Sequence, residues 1–278
     1  MTDRRSFVLR GCGCALAGLL VLAGCSSGGT TKNGQGSAAP STATPVTGGS
    51  GSASAPPPGT PEGLVPVLDE SKQPRTAAEA RALIGRIMID QGAFGPDVVR
   101  ATPFESDPAR WPVLDAKCVW QTSGLPADVL ATSTRHFQIP AGNGRGRLRL
   151  NATVTVHHNR EESGWETAGA MEEVARCPDQ KLREGEQIKG LWGISLYQGE
   201  QGNGWTEDAF NESGKYLSQE GGGPYPYAWN QAQFGPVTVA VTGKGAAGYT
   251  DAELTTLTIQ GTARLMAAAK TNLGKGAG

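Results

Sequence analysis

Most of what marks a metalloenzyme, a nucleotide-binding protein or a nucleic-acid binder is missing from this chain. Charge of one sign is missing first. The 25 Lys and Arg against 26 Asp and Glu in 278 residues leave a formal net charge of −1. A protein whose main partner is nucleic acid or an anionic membrane surface carries a basic excess, so neither is expected as the partner. Histidine occurs three times, at His136, His157 and His158. Adjacent strand residues point to opposite faces, so His157 and His158 cannot share a metal from a regular strand. His136 could join either only with a neighbouring strand in register. There is no Cys-x-x-Cys, His-Glu-x-x-His or Asp-rich calcium loop, and neither a metal nor a cofactor is expected. There is no Gly-x-Ser-x-Gly elbow. Gly142–Gly146 precedes a strand, whereas a phosphate cradle follows a strand and opens a helix. Glu200, Glu207, Asp208, Glu212 and Glu220 share a polar stretch without fixing the carboxylate pair of a glycosidase. The expectation from these absences is a protein that is not an enzyme. Long apolar runs are missing too. Cys14–Gly24 spans 11 residues, short of the roughly 20 needed to cross a bilayer.

What is present begins at the N-terminus. A basic start with Arg4-Arg5, the apolar run, and the small residues of Leu22-Ala23-Gly24-Cys25 make a secretory signal. The last four residues resemble the bacterial lipoprotein lipobox. That resemblance implies removal of residues 1–24, a diacylglyceryl group on Cys25, and a mature chain tethered to the outer side of the cell membrane. Asp3-Arg4-Arg5-Ser6-Phe7 is also similar to a twin-arginine export signal, with Asp3 where that signal has Ser or Thr. Residues 25–61 are Ser, Gly, Thr, Ala and Pro with almost no charge and no large apolar residue until the end. Such a segment cannot bury enough surface to offset its ordering entropy, and reads as a tether reaching about 30–35 Å.

Residues 62–278 read as one extracytoplasmic α+β domain. Cys118 and Cys177 are the cysteines left after the signal and the lipid site. In an oxidising compartment an even pair reads as one disulfide, the alternative being free or reactive thiols. Thr76-Ala77-Ala78-Glu79 and Thr250-Asp251-Ala252-Glu253 are capping boxes. The first opens a helix with Ala80, Leu83, Ile84, Ile87 and Met88 on one face; the second opens a helix to about Lys270. Pro103, Pro108 and Pro112 predict a turning connection. Cys118–Trp120 and Asp128–Ile139 are strand candidates, and Gly146–His158 is the clearest strand. Its Leu148, Leu150, Ala152, Val154 and Val156 alternate with Arg149, Asn151, Thr153, Thr155 and His157, predicting an antiparallel sheet with one wet face. Ser163–Cys177 predicts a helix buried through Trp165, Ala168, Met171, Val174 and Ala175. Ile188–Tyr197 predicts a strand, Gly199–Gly223 a loop with one short element at Glu207–Leu217, and Tyr225–Phe234 with Val237–Gly243 a hairpin. The sum is an antiparallel sheet with helices packed on it and one disulfide.

Aromatics concentrate late in the chain. Trp192, Trp205, Tyr225, Tyr227 and Trp229 crowd one stretch beside glycine-rich segments. They read either as the lining of a ligand cleft or as core and cover residues of the sheet. The segment from Cys118 through Trp165 and Ala168 to Cys177, with Val237–Val241 and the last Ala-rich helix, resembles the PknH-like extracellular sensor domain of receptor kinases and tethered lipoproteins. The resemblance covers about residues 110–270 and implies a mixed α/β sandwich with a ligand cleft. That family often has a second disulfide, and this chain has cysteines for one. Cys118-Val119-Trp120 is also similar to a lipoprotein family of unknown function. The resulting expectation is a lipid-anchored, ligand-binding or sensor-like domain. The alternative is an interaction lipoprotein that binds an envelope protein or polymer through the face bearing Arg147, Arg149 and Thr153.

Overall fold

The computed structural model describes residues 67–195 and 206–275. The proposed signal, Cys25 and the tether lie outside the described residues, as do Tyr197 and Trp205. Ten strands and three α-helices follow one another as β1 (Val99–Glu105), β2 (Arg110–Leu114), β3 (Trp120–Gly124), β4 (Val129–Ile139), β5 (Leu148–His157), β6 (Gln180–Arg183), β7 (Glu186–Ser195), β8 (Asp208–Ser218), β9 (Gly222–Phe234) and β10 (Val237–Lys244). Helix α1 (Ala77–Ile87) precedes β1, α2 (Arg160–Arg176) joins β5 to β6, and α3 (Asp251–Leu273) closes the domain. Eight strands form one antiparallel sheet in the order β1-β4-β5-β10-β9-β8-β7-β6, and β2 with β3 forms a separate hairpin. The α+β class and the antiparallel sheet are as the sequence predicts.

One face of the sheet is dry. Leu148, Leu150, Ala152, Val154 and Val156 of β5 lie beside Val237, Val239 and Val241 of β10, all fully buried. Helices α1 and α3 cover them. Both helices start at the predicted capping boxes: Thr76 accepts from the Glu79 N–H, Thr250 from the Glu253 N–H, and each glutamate reaches back to its cap. Ala80, Leu83, Ile84 and Ile87 of α1 are buried, and so are Leu254, Leu265, Met266, Ala269 and Leu273 of α3. A fully buried Leu contributes about 1.5–3 kcal/mol through burial alone. The closest approach of α3 to the sheet depends on two glycines. A Cβ at Gly261 would stand 2.5 Å from the Phe94 ring, and one at Gly243 would stand 2.6 Å from Leu254.

The opposite face is different. Helix α2 crosses β5 and β7–β10 there, over a smaller apolar cluster of Val174, Ile188, Leu191, Phe210, Tyr216 and Tyr227. The β2–β3 hairpin is fastened to the far end of α2. The Cys118–Cys177 disulfide, Cα to Cα 5.5 Å, joins the turn before β3 to the helix C-terminus. Arg176 donates to the carbonyls of Asp115 and Leu114 at 3.0 and 3.3 Å. The Lys181 N–H donates to the Cys118 carbonyl at 2.9 Å. Cys118 adopts a left-handed conformation with φ 59°, inside a turn whose Asp115 carboxylate accepts from the N–H groups of Lys117 and Val119. That side-chain closure supports a conformation a non-glycine residue seldom adopts.

Four expectations are corrected. The Pro103–Pro112 stretch is strands β1 and β2, not a connection. β1 is an edge strand whose pairing with β4 is irregular between Arg100 and Glu105, and β2 is half of a two-stranded hairpin. A proline there removes no obligatory ladder bond. Residues 208–218, where the sequence places only a short element at Glu207–Leu217 within a loop, are the full 11-residue strand β8, paired on both sides. Helix α2 begins at Asn159, which caps it, and its buried residues are Ser163, Thr167 and Val174. Trp165 is 66% exposed and Ala175 is exposed. The helix meets a polar sheet face, so hydrogen bonds take the place of the apolar stripe. Ser163 donates to the Gly235 carbonyl at 2.7 Å, and Gln231 donates to the Thr167 hydroxyl at 2.9 Å. Finally, the predicted wet face of β5 is not uniformly wet: Thr155 and His157 are each 1% exposed.

Candidate functional site

The polar face of the sheet, α2 and the β2–β3 hairpin enclose a cleft of about 720 Å³, within the range of small-molecule sites. Its floor follows from strand register. Thr132 opposes Thr155, Thr134 opposes Thr153, and His136 opposes Asn151 across β4 and β5. Their side chains bond in the same pairs. The hydroxyls of Thr132 and Thr155 are 3.1 Å apart and those of Thr134 and Thr153 2.9 Å. His136 Nδ1 lies 2.8 Å from Asn151 Oδ1, and its Nε2 lies 2.8 Å from the Ser106 hydroxyl. β-branched threonines suit a pleated surface and give this one a neutral, hydroxyl-rich face.

Tryptophans form the walls. Trp111 and Trp120 come from the hairpin, Trp165 from α2 and Trp229 from β9. Trp120 is fixed by an indole N–H bond to Gln180 at 2.8 Å. Tyr227 is buried at the edge of the apolar cluster and also lines the cleft. Of the residues expected to bind a ligand, Tyr227 and Trp229 are therefore in the cleft. Trp192 stands 58% exposed on β7, and neither it nor Tyr225 lines the cleft. Trp205 lies outside the described residues. The sequence reading missed Trp111, Trp120 and Trp165. A signal for one of them is present, because the Cys118–Cys177 bond brings Trp120 beside the C-terminal end of the helix that bears Trp165.

Acidic groups gather on the α2 side. Burial, and then the neighbouring charge of Glu173, push the Glu212 carboxyl up to about 8. Burial raises Glu173 as well, against the pull of Arg176. Neither carboxyl takes part in an ion pair among the described residues. Burial and the Glu212 charge raise the Tyr227 hydroxyl well above its ordinary range. Glu166 is held differently: it lies 2.7 Å from His157 Nε2 and accepts from the Thr238 hydroxyl at 2.6 Å. His157 Nδ1 has no hydrogen-bond partner among the described residues, its nearest carboxylate oxygen being Asp128 Oδ2 at 3.7 Å. At the cleft's other end Lys244 is paired with Glu186 at 3.2 Å. Burial works to raise Glu186, but Arg183 and Lys244 outweigh it and hold the carboxyl at about 2.

The histidines do not converge. His136 is engaged with Ser106 and Asn151, His157 with Glu166, and His158 with the Ala127 carbonyl. Among the described residues no three His, Cys, Asp or Glu side chains are grouped to hold a metal ion. The arrangement suits an amphipathic small molecule. Indole faces take its apolar or ring surface, and hydroxyl and amide groups with the Glu212 carboxyl take its polar edge. The face bearing Arg149 and Thr153 is not an open plane. Thr153 lies on the cleft floor, and Arg149 is engaged by Glu220 at 3.2 Å and the Tyr216 hydroxyl at 3.2 Å. No family model, no curated protein and no solved structure matches the chain.

Proposed function

We propose that this chain is a lipid-anchored extracytoplasmic lipoprotein whose α+β domain binds a small amphipathic ligand for sensing or presentation. The tryptophan-walled cleft of about 720 Å³ over a threonine floor is the observation that carries the binding reading. The lipobox-like Leu22–Cys25 and the Gly/Ser/Pro/Thr tether support the membrane placement, with Cys25 as the lipid site. The sensor-like role draws on the resemblance of residues 110–270 to the PknH-like domain. A lipid anchor does not span the bilayer, so on this reading a signal passes through a partner.

Native mass spectrometry of the mature protein, released in mild detergent from its host's envelope, tests the binding reading. The expected result is a reproducible added mass that leaves on denaturation and is absent when Trp229→Ala and Trp120→Ala are combined. A bare protein, unchanged after incubation with host lipids and cell-wall fragments, overturns it. That result favours the second reading, an interaction lipoprotein, for which the exposed Trp192 and Ile194 of β7 (58% and 48% exposed) are the specific observation. Radiolabelled palmitate incorporated by the wild type and lost in Cys25→Ser tests the anchor.

A further inference from the structure

Three residues distant in sequence meet in the cleft wall and form a chain of hydrogen bonds. Ser106 leaves the end of β1, His136 is on β4 and Asn151 on β5. The Ser106 hydroxyl is 2.8 Å from His136 Nε2, and His136 Nδ1 is 2.8 Å from Asn151 Oδ1. The Asn151 oxygen can only accept, which places the ring proton on Nδ1 and leaves the Nε2 lone pair to accept from the serine hydroxyl. That is the order of parts in an activated nucleophile: hydroxyl, base, and a third group that fixes the base's tautomer and orientation.

The backbone holds the parts in place. His136 and Asn151 are register partners in the ladder. The Ser106 N–H donates to the Thr134 carbonyl at 3.0 Å, and the neighbouring Glu105 is paired with Arg135 at 2.9 Å. Ser106 is exposed and lines the cleft with its two partners, so a substrate can reach it. The amide N–H of Asp107, next after the serine, makes no hydrogen bond among the described residues. In α/β-hydrolases the amide following the nucleophile donates to the oxyanion.

We propose that Ser106, His136 and Asn151 act together as a nucleophile, a base and its orienting residue, and transfer the acyl group of a small carboxylic ester bound in the cleft. Ser106 Oγ attacks the carbonyl carbon while its proton passes to His136 Nε2. The tetrahedral adduct collapses, the C–O bond to the alcohol breaks, and the departing alkoxide takes the proton from Nε2. Water then gives a proton to Nε2 and attacks the acyl-serine; the bond from the acyl carbon to Oγ breaks as Nε2 returns that proton to Oγ, releasing the carboxylic acid and restoring Ser106 and neutral His136. Ester and water become acid and alcohol, with no other reactant. Asn151 acts through His136 and is a positioning residue. The proposal goes beyond ligand binding, which stands without it.

The test is labelling of the full mature protein with an alkyl fluorophosphonate, read by intact mass and peptide mapping. Oγ forms a bond to phosphorus and fluoride leaves with the serine proton. One adduct per chain at Ser106 is expected, absent in Ser106→Ala, with the labelling rate at least tenfold lower in His136→Gln and in Asn151→Ala. Asn151→Asp, which keeps the acceptor, restores most of the rate, whereas a purely structural asparagine would not be rescued this way. An unmodified Ser106 in the folded wild type overturns the proposal. So does an adduct whose rate ignores His136→Gln; should that variant not fold, the Asn151 pair decides in the same way. A native ligand seen by mass spectrometry beside an inert Ser106 overturns this relay alone and leaves the binding reading intact.

Discussion

The two faces of the large sheet are built from the same strands and held by different physics. On the α1/α3 side, alternate residues of β5 and β10 are aliphatic and fully buried, and stability there comes from area removed from water and close packing. On the α2 side the intervening residues are mostly threonine, with Arg149, Asn151 and His157 on β5 and Ala240 and Lys244 on β10, and Gln231 and Gln233 of β9 lie beside them. They are covered in part and satisfied in pairs, as in Thr132–Thr155, Gln231–Thr167 and Ser163–Gly235. A hydrogen bond exchanged with water contributes about 0.5–1.5 kcal/mol, so this face adds less to stability and more to specificity. Because side chains alternate, the cleft floor can change at every second residue without touching the core.

The sharpest test of that division is truncation of the dry face. Leu265→Ala, at a fully buried position of α3, is expected to cost about 2–5 kcal/mol, measured by urea denaturation. A cost within the range of a cleft threonine would erase the distinction between the faces. Removing the staple comes next. The paired change Cys118→Ser with Cys177→Ser opens a loop of about 60 residues and is expected to cost at most about 4 kcal/mol. The loss should appear with little change in the far-ultraviolet spectrum, since the large sheet does not depend on the bond.

A smaller and more selective effect follows from Glu212. Its folded pKa, at about 8, is above its unfolded value, so the folded state binds the extra proton between pH about 4.5 and 8. Stability therefore falls as pH rises through that window and levels off above it. Glu212→Gln is expected to flatten the decline and to exceed the wild type in stability at pH 8. A variant with an unchanged pH dependence would mean that the α2 face is wetter than the geometry implies. The smallest effect belongs to the floor. Thr134→Ala removes one hydroxyl of a facing pair and is expected to cost about 0.5–1.5 kcal/mol, read in the same denaturation series.

The contrast also explains how much could be read in the sequence. The dry face announced itself. The alternation of Leu148–Val156 and of Val237–Val241 and both capping boxes have local signatures, and each is found in the fold. The cleft face announced little, because apolar periodicity reports apolar burial only. Helix α2 buries Ser163, Thr167 and Val174 and leaves Trp165 out, so the apolar stripe holds only toward its C-terminal half, where Met171 and Val174 meet the small cluster. Strand β8 reads only as a short element at Glu207–Leu217 because Asn211, Glu212, Ser213 and Lys215 look solvated, although the strand is paired on both edges. The Ser106–His136–Asn151 chain has no short motif at all. Its members are separated by 30 and 15 residues and are brought together by strand register alone.

The bond between Cys118 and Cys177 has a bearing on selectivity. It ties the hairpin carrying Trp111 and Trp120 to the helix carrying Trp165, so the two walls form a single jaw over the threonine floor. A binding site whose jaws must be ordered on each encounter loses affinity to that ordering. Here the ordering is done when the chain oxidises, before any ligand arrives. Under the proposed binding function, such a preorganised jaw excludes by shape molecules too broad to enter, and reducing the bond would relax that exclusion without unfolding the sheet beneath.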